Sequence, residues 1–225
     1  MARDRLKDIG AGSHQTVVEM EGLMDTSAPS LDSFYDEVNR MKDDIESARR
    51  SVLSIEEMQR LGAVGLDKPA DREQLERLSN MTQDQLRGLR DRIKQMILQT
   101  QRLAKTQPRD AQLRRNQQAY LLESIQEVTR NFHIANQTAQ DKYKEQLGRQ
   151  YRIVRPDATD AEVAEAVERG DGAFSREILA SRLGQQQQNL EEVKSRQAQL
   201  KQIFTAITEL AKLLEDMQEM IDAQQ

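Results

Sequence analysis

Apolar residues recur at alternating intervals of three and four through most of this 225-residue chain, and this spacing constrains the fold more than any other feature. Such spacing places the apolar side chains on one face of an α-helix. The chain contains only four prolines, so very long helices are possible. Aromatic residues make up 4% of the chain, which argues against a β-sandwich or a β-barrel. The sequence therefore predicts an all-α protein.

Three amphipathic helices are predicted at residues 31–61, 71–105 and 109–152, separated by short breaks that contain glycine or proline. Asp71 is the predicted N-cap of the second helix, with Gln74 at its third position. An isolated amphipathic helix would expose its apolar face, so the three helices are expected to pack as an antiparallel bundle. The expected core residues are Val38, Ile45, Val52, Leu78, Leu89, Ile93, Ile125, Val128 and Phe132.

The chain divides into four predicted regions. Residues 1–28 show little periodicity and are expected to form a disordered tail. Residues 29–153 form the three-helix bundle, and residues 154–175 form a linker. Residues 176–225 form a last helical segment, which is the most informative part of the chain.

The linker contains a capping box, Thr159-Asp-Ala-Glu162, in which the first and fourth side chains satisfy each other's backbone N–H groups. This motif predicts a short acidic helix over residues 160–169, with Val163 and Val167 on one face. That face is expected to bias how the last segment packs.

The last segment carries a strict heptad pattern, the heptad seam, which requires a coiled-coil partner. The next step of the pattern falls on Gln224, a polar residue that costs stability but fixes the register when its partner satisfies it. The sequence stops at Gln225, inside the pattern, so we expect a piece of a longer protein. The apolar members of the heptad seam are Leu200, Ile203, Ile207, Leu210, Leu214, Met217 and Ile221.

Composition excludes several functional classes. The net charge of −5 argues against a generic nucleic-acid partner. The absence of cysteine removes disulfides, thiolate zinc sites and cysteine nucleophiles, and the two histidines lie 119 residues apart, so neither a metal nor another cofactor is expected. The sequence has no apolar run of 18 residues and no secretory signal. A cytosolic chain is expected.

These features together resemble the syntaxins, the Qa class of SNARE proteins, and in particular those of the plasma membrane. Gln150-Tyr-Arg-Ile-Val-Arg-Pro-Asp-Ala-Thr-Asp-Ala-Glu162 resembles the end of the third regulatory helix of that family and its linker. Leu31-Asp-Ser-Phe34 resembles the start of the first regulatory helix. The resemblance implies that the bundle is a regulatory Habc domain. It also implies that the heptad seam is the N-terminal half of a SNARE motif, with Gln224 in the central layer.

The resemblance implies a target-membrane SNARE with no enzymatic activity. Such a protein forms a four-helix complex with a vesicle R-SNARE and Qb/Qc SNARE helices during vesicle docking and exocytosis. It acts at the cytoplasmic face of the plasma membrane, to which a C-terminal anchor beyond this sequence attaches it. Half of a SNARE motif without that anchor should not drive fusion by itself.

The resemblance also implies regulation by a Sec1-family protein that binds a closed conformation. The family's N-peptide contact with that partner matches Asp4, Arg5, Leu6 and Ile9. In the linker, Val163 matches the apolar position that keeps syntaxins closed, and Val167 lies on the same face. Ala164 replaces an acidic residue common in the family, which would weaken closure.

Two hosts compete for the heptad seam: the chain's own bundle, on which the last segment would pack as a fourth helix, and the helices of partner SNAREs. The alternative function is a helical scaffold or adaptor of the spectrin-like or membrane-curving type. A membrane-curving bundle needs a basic surface, and the acidic balance argues against it. No nucleophile, base or metal constellation in the sequence supports an enzyme.

Overall fold

The computed structural model describes residues 29–169 and 186–223, and this part of the chain is helical without β-strands. The predicted N-terminal tail, residues 170–175 of the linker and Gln224 lie outside the described residues. The helices are α1 (Leu31–Ala63), α2 (Pro69–Leu103), α3 (Pro108–Val154), α4 (Asp160–Arg169) and α5 (Gln186–Asp222). None of the helices in these two stretches combines the length and apolar character needed to cross a bilayer.

Four of these helices form one antiparallel bundle. The helices α1, α2 and α3 pack as predicted, and α5 packs mainly on α3 with a smaller contact to α2. Arg87 of α2 pairs with Glu209 of α5, and Arg72 of α2 bonds Ser195 of α5, so α5 runs parallel to α2. The predicted core is confirmed, since eight of its nine residues are buried and Leu78 packs against them while partly exposed.

The start of α2 differs from the prediction. The helix begins at Pro69 rather than after Asp71, because proline fits the first helical position, where its fixed φ is helical and no N–H partner is needed. Asp71 lies inside the first turn and accepts a 2.8 Å hydrogen bond from the backbone N–H of Lys68, the observed N-cap residue. Pro108 opens α3 in the same way.

The short linker helix α4 begins at the predicted capping box. The Glu162 carboxylate accepts a 2.8 Å hydrogen bond from the backbone N–H of Thr159, and the Glu162 backbone N–H donates to the Thr159 hydroxyl at 3.4 Å. The backbone hydrogen bond from Thr159 is the main cause of a lowered Glu162 pKa. This cap fixes the start of α4, which then folds back onto the end of α3.

Candidate functional site: the docked fifth helix

The heptad seam is only half covered when α5 lies on the bundle. Ile203, Leu210 and Met217 are buried, whereas the remaining seam residues are partly exposed. The face of α5 that is buried, which we call the docked face, comprises Arg196, Gln199, Ile203, Ala206, Leu210, Leu213 and Met217.

The docked face and the heptad seam share every seventh residue. The second position of each repeat differs, since Ala206 and Leu213 are buried in place of Ile207 and Leu214. At about 100° per residue, this substitution rotates the buried face by roughly 50° around the α5 axis. The bundle therefore covers part of the heptad seam while using contacts that the seam itself does not contain.

The C-terminal half of the docked face is apolar. Leu210, Leu213 and Met217 belong to the same cluster of buried side chains as Leu86 of α2 and Leu121 of α3. The partly buried seam residues Leu214 and Ile221 pack at the edge of this cluster. Burying a large aliphatic side chain contributes roughly 1.5–3 kcal/mol before entropy. This half therefore supplies the hydrophobic free energy of docking.

The N-terminal half of the docked face is polar and centres on a group that we call the Asp67 cluster. Asp67 lies in the α1–α2 loop with 5% of its side chain exposed, and both of its carboxylate oxygens accept hydrogen bonds from the fully buried Arg196 guanidinium of α5, one of them at 3.0 Å. Arg72 of α2 donates to Asp67 at 2.6 Å and to the Ser195 hydroxyl at 2.9 Å. The Arg196 guanidinium also donates to Gln199 at 2.9 Å. The cluster therefore ties α5 to the loop and to α2.

Two guanidinium groups surround the single carboxylate of the Asp67 cluster. Burial by itself would raise the pKa of Asp67, but the hydrogen bonds and charges of Arg196 and Arg72 outweigh burial and hold the pKa below its usual range. A buried pair of this kind contributes little net stability, whereas the removal of one partner leaves an uncompensated charge and costs about 3–5 kcal/mol. The cluster therefore selects one docked arrangement of α5.

The Tyr143 ring of α3 packs against the Arg196 guanidinium. The guanidinium lies 5.4 Å from the centre of the fully buried Tyr143 ring, and burial raises the pKa of the phenol to about 12. Gly62 of α1 makes this close approach possible, since a Cβ atom at that position would overlap the Tyr143 hydroxyl. The glycine that ends the apolar pattern of α1 is therefore also a packing requirement of the docked state.

Next to the Asp67 cluster, carboxamide side chains from the packed helices form a polar layer. Gln59 of α1 donates to Asn136 of α3 at 2.9 Å, and both are buried. Together with Gln83 of α2 and Gln199 of α5, they line a cavity of about 40 Å³, which is large enough for one water molecule. A buried polar layer of this kind favours a single register between packed helices.

The linker helix packs on α3 beside the start of the heptad seam. Val163 is buried against Leu147 and Tyr151 of α3, and Val167 lies partly buried in the same cluster. Leu200, the first residue of the heptad seam, packs against this cluster as well. The structure therefore places the two predicted linker residues beside the start of the heptad seam.

The other predicted site residues cannot be placed. Asp4, Arg5, Leu6 and Ile9 of the expected N-peptide lie outside the described residues, as does Gln224. In contrast, Arg196 was missed by the sequence reasoning, although it lies seven residues before Ile203 and so continues the heptad repeat. An arginine at a seam-like position was the available signal for the Asp67 cluster.

Comparison with known proteins agrees with this architecture. The family model for syntaxin matches residues 28–183. The chain is 27% identical over 201 residues to the syntaxin-like protein psy1 of Schizosaccharomyces pombe, with 87% of this chain and 70% of that protein covered. It is 28% identical over 195 residues to the protein transport protein SSO2 of Candida albicans, with 84% of this chain and 64% of that protein covered.

A solved structure has the same fold. The crystal structure of the Unc18–syntaxin 1 complex from Monosiga brevicollis contains a chain that superposes with a TM-score of 0.72 at 19% sequence identity, with 88% of this chain and 85% of that chain covered. The family match replaces the spectrin-like or membrane-curving alternative and agrees with the expectation that the chain is not an enzyme. With a syntaxin model matching more than half of its residues, the chain belongs to the syntaxin family, whose members are non-enzymatic SNARE proteins.

Proposed function

We propose that this chain is the regulatory and assembly region of a target-membrane SNARE that acts in exocytosis. In the docked arrangement α5 is withheld on the three-helix bundle. In the open arrangement α5 leaves the bundle and its heptad seam enters a four-helix complex with a vesicle R-SNARE and Qb/Qc SNARE helices. The chain covers about two thirds of the relatives' lengths, so a C-terminal anchor at the cytoplasmic face of the plasma membrane belongs to the longer protein in this proposal.

One observation carries the proposal: Ile203, Leu210 and Met217 belong to both the docked face and the heptad seam. A helix cannot bury the same side chains in two places, so docking on the bundle and pairing with partner helices exclude each other. The partly exposed seam residues remain accessible for a first contact with a partner. Docking of α5 on the bundle therefore inhibits assembly with partner helices by competition for the same side chains.

A Sec1-family protein is the proposed binder of the docked arrangement. Supporting this, the structurally similar chain from Monosiga brevicollis was solved in complex with Unc18. In our proposal that partner contacts α5 together with the bundle, and the N-peptide residues Asp4, Arg5, Leu6 and Ile9 form a second contact. The guanidinium of Arg5 suits a carboxylate, and Leu6 with Ile9 supply apolar anchors.

A distance measurement tests the switch directly. The chain has no cysteine, so labels at Glu56→Cys on α1 and Lys212→Cys on α5, both exposed positions, report only the distance between these helices. A Sec1-family protein should sharpen the short-distance population, and partner SNARE helices should replace it with a longer distance. A distance that responds to neither partner would contradict the proposal.

The N-peptide needs its own test. Deletion of residues 1–10 should weaken binding of the Sec1-family protein while the distance between α1 and α5 in the free chain stays unchanged. The double substitution Arg5→Ala and Leu6→Ala should reproduce the deletion, whereas Gln15→Ala should not. Equal affinity for the intact and the shortened chain would remove the N-peptide from the proposed function.

A further inference from the structure

The turn between α2 and α3 concentrates positive charge in an otherwise acidic protein. Residues 102–115 contain five arginine or lysine residues and one carboxylate, whereas the whole chain has a net charge of −5. One of these five basic residues, Arg114, is buried and pairs with the carboxylate of Asp110 at 3.4 Å. The four exposed cations, which we call the basic tip, are Arg102, Lys105, Arg109 and Arg115.

The cations of the basic tip are not paired with carboxylates. Several arginines elsewhere form ion pairs between helices, as Arg49 does with Glu127. In residues 29–169 and 186–223, the side chains of Arg102, Lys105 and Arg109 form no hydrogen bond or ion pair. Arg115 donates only to Gln112 on its own helix, at 3.4 Å. These charges therefore contribute nothing to the bundle through direct contacts.

Arg109 lies where helix physics disfavours it. It occupies the first turn of α3, directly after Pro108, and the positive end of the helix dipole makes a cation unfavourable there. Leu113, one turn later, has 49% of its surface exposed between these cations. An exposed leucine among unpaired cations is typical of a surface that contacts lipid headgroups and their upper acyl chains.

The direction of α5 places the basic tip at the end of the bundle where the longer protein would continue. Because α5 runs parallel to α2 and Asp216 pairs with Arg90, Ala223 lies roughly 10 Å short of the α2–α3 turn along the bundle axis. In the proposed function a membrane anchor follows this chain, so the basic tip and the anchor would approach the same surface. This step rests on the proposed function, whereas the charge argument does not.

We infer that the basic tip binds the anionic headgroups of a phospholipid membrane, as a second membrane contact beside the expected anchor. A smooth anionic surface suits cations distributed around the end of a helical hairpin, each of which gains affinity without a shaped pocket. Nucleic acid is less suited because single-strand binding also uses stacking aromatic side chains. The exposed Tyr120 lies more than one helical turn beyond Arg115 and packs beside Lys42.

Vesicle flotation with the full 225-residue chain tests the inference. Vesicles of phosphatidylcholine with 30% phosphatidylserine should bind the chain at low salt, and pure phosphatidylcholine vesicles should not. Each cation removed, for example by Lys105→Gln, should weaken binding about fivefold. Substitution of all four cations by glutamine should abolish binding without lowering the melting temperature by more than a few degrees.

A matched control separates the basic tip from total charge. The substitutions Arg40→Gln, Arg60→Gln, Arg77→Gln and Arg149→Gln remove the same charge from exposed positions elsewhere and should leave most vesicle binding intact. Equal loss in the control would overturn the inference, as would binding to soluble heparin but not to the vesicles. Because no SNARE partner is present in this assay, its failure would leave the proposed SNARE function standing.

Discussion

Arg196 of α5 and Asp67 of the α1–α2 loop form a buried ion pair across 129 positions of the chain. The pair lies at the linker end of α5, whereas the other end of the docked face is held by apolar side chains. Charged contacts depend on geometry and apolar contacts mainly on area, so the ion pair determines where α5 docks and the apolar half determines how strongly.

Substitution of Asp67 by asparagine should undock α5. The buried Arg196 guanidinium would lose its compensating charge, at a cost of about 3–5 kcal/mol that α5 avoids by leaving the bundle. The distance between labelled α1 and α5 should lengthen, while the far-ultraviolet signal of the three-helix bundle persists.

Glu145→Gln is the control for that substitution. Glu145 pairs with Arg149 at 2.9 Å on the exposed surface of α3, where an ion pair contributes about 0–1 kcal/mol. Its loss should not change the α1–α5 distance. A double variant, Asp67→Ala with Arg196→Met, should undock α5 less than Asp67→Asn does, and a larger effect would contradict the role given to the pair.

Acid should release α5 only at low pH. Because the pKa of Asp67 is lowered in the folded protein, the stabilisation from its ionised form is complete above the unfolded value of about 3.9 and is lost as the pH falls through the folded value. The α1–α5 distance should therefore be constant between pH 8 and 5. Below about pH 4, the difference between the natural chain and Asp67→Asn should shrink towards zero.

Gly62→Ala should destabilise the docked state through Tyr143. The added methyl group would overlap the Tyr143 hydroxyl and move the ring away from Arg196. Gly88→Ala is the matched control, because its added Cβ would meet no atom within 4 Å beyond its own turn of helix, and alanine is favoured within a helix by roughly 0.5–1 kcal/mol. Thermal melting should shift down for the first variant and up for the second.

Val163→Glu should favour the open arrangement. A carboxylate cannot remain buried against Leu147 and Tyr151 without a partner, so α4 would leave α3 and open the cluster against which Leu200 packs. Ala161→Glu introduces the same charge at an exposed position of the same helix and should have no such effect. Pairing with partner SNARE helices should be faster for the first variant only.

The core assignment has a direct stability test. Ile93→Ala and Phe132→Ala remove fully buried side chains and should each lower the free energy of unfolding by about 2–5 kcal/mol. Leu53→Ala removes a side chain that is 60% exposed and should change it by no more than about 0.5 kcal/mol. Denaturant titrations of the three variants provide the comparison.

The features of the fold that could be predicted from the sequence were those set by local residue spacing. The three-and-four spacing located the helices within a few residues and identified a core that is confirmed, because burial of one helical face is a local property of the pattern. The predicted N-cap of α2 was wrong by three residues, since Asp71 was given the role that Lys68 holds before Pro69. Proline at the first helical position was the stronger signal there.

The sequence predicted the heptad seam of the candidate site but not the ion pair that positions α5. Heptad spacing predicted that α5 would bury an apolar seam, but it could not predict which face the bundle covers, because docking surfaces are set by contacts between distant segments. The ion pair between Arg196 and Asp67 is of that kind. The N-peptide residues and the central position of Gln224 stay predictions.

The offset between the docked face and the heptad seam makes two properties separately adjustable. Under the proposed function, a change at Ile203, Leu210 or Met217 should alter docking and partner pairing together, since both would use those side chains. A change at Ala206 or Leu213 acts on the docked face alone. Substitutions at these two positions should therefore change how tightly α5 docks while the heptad seam itself stays intact.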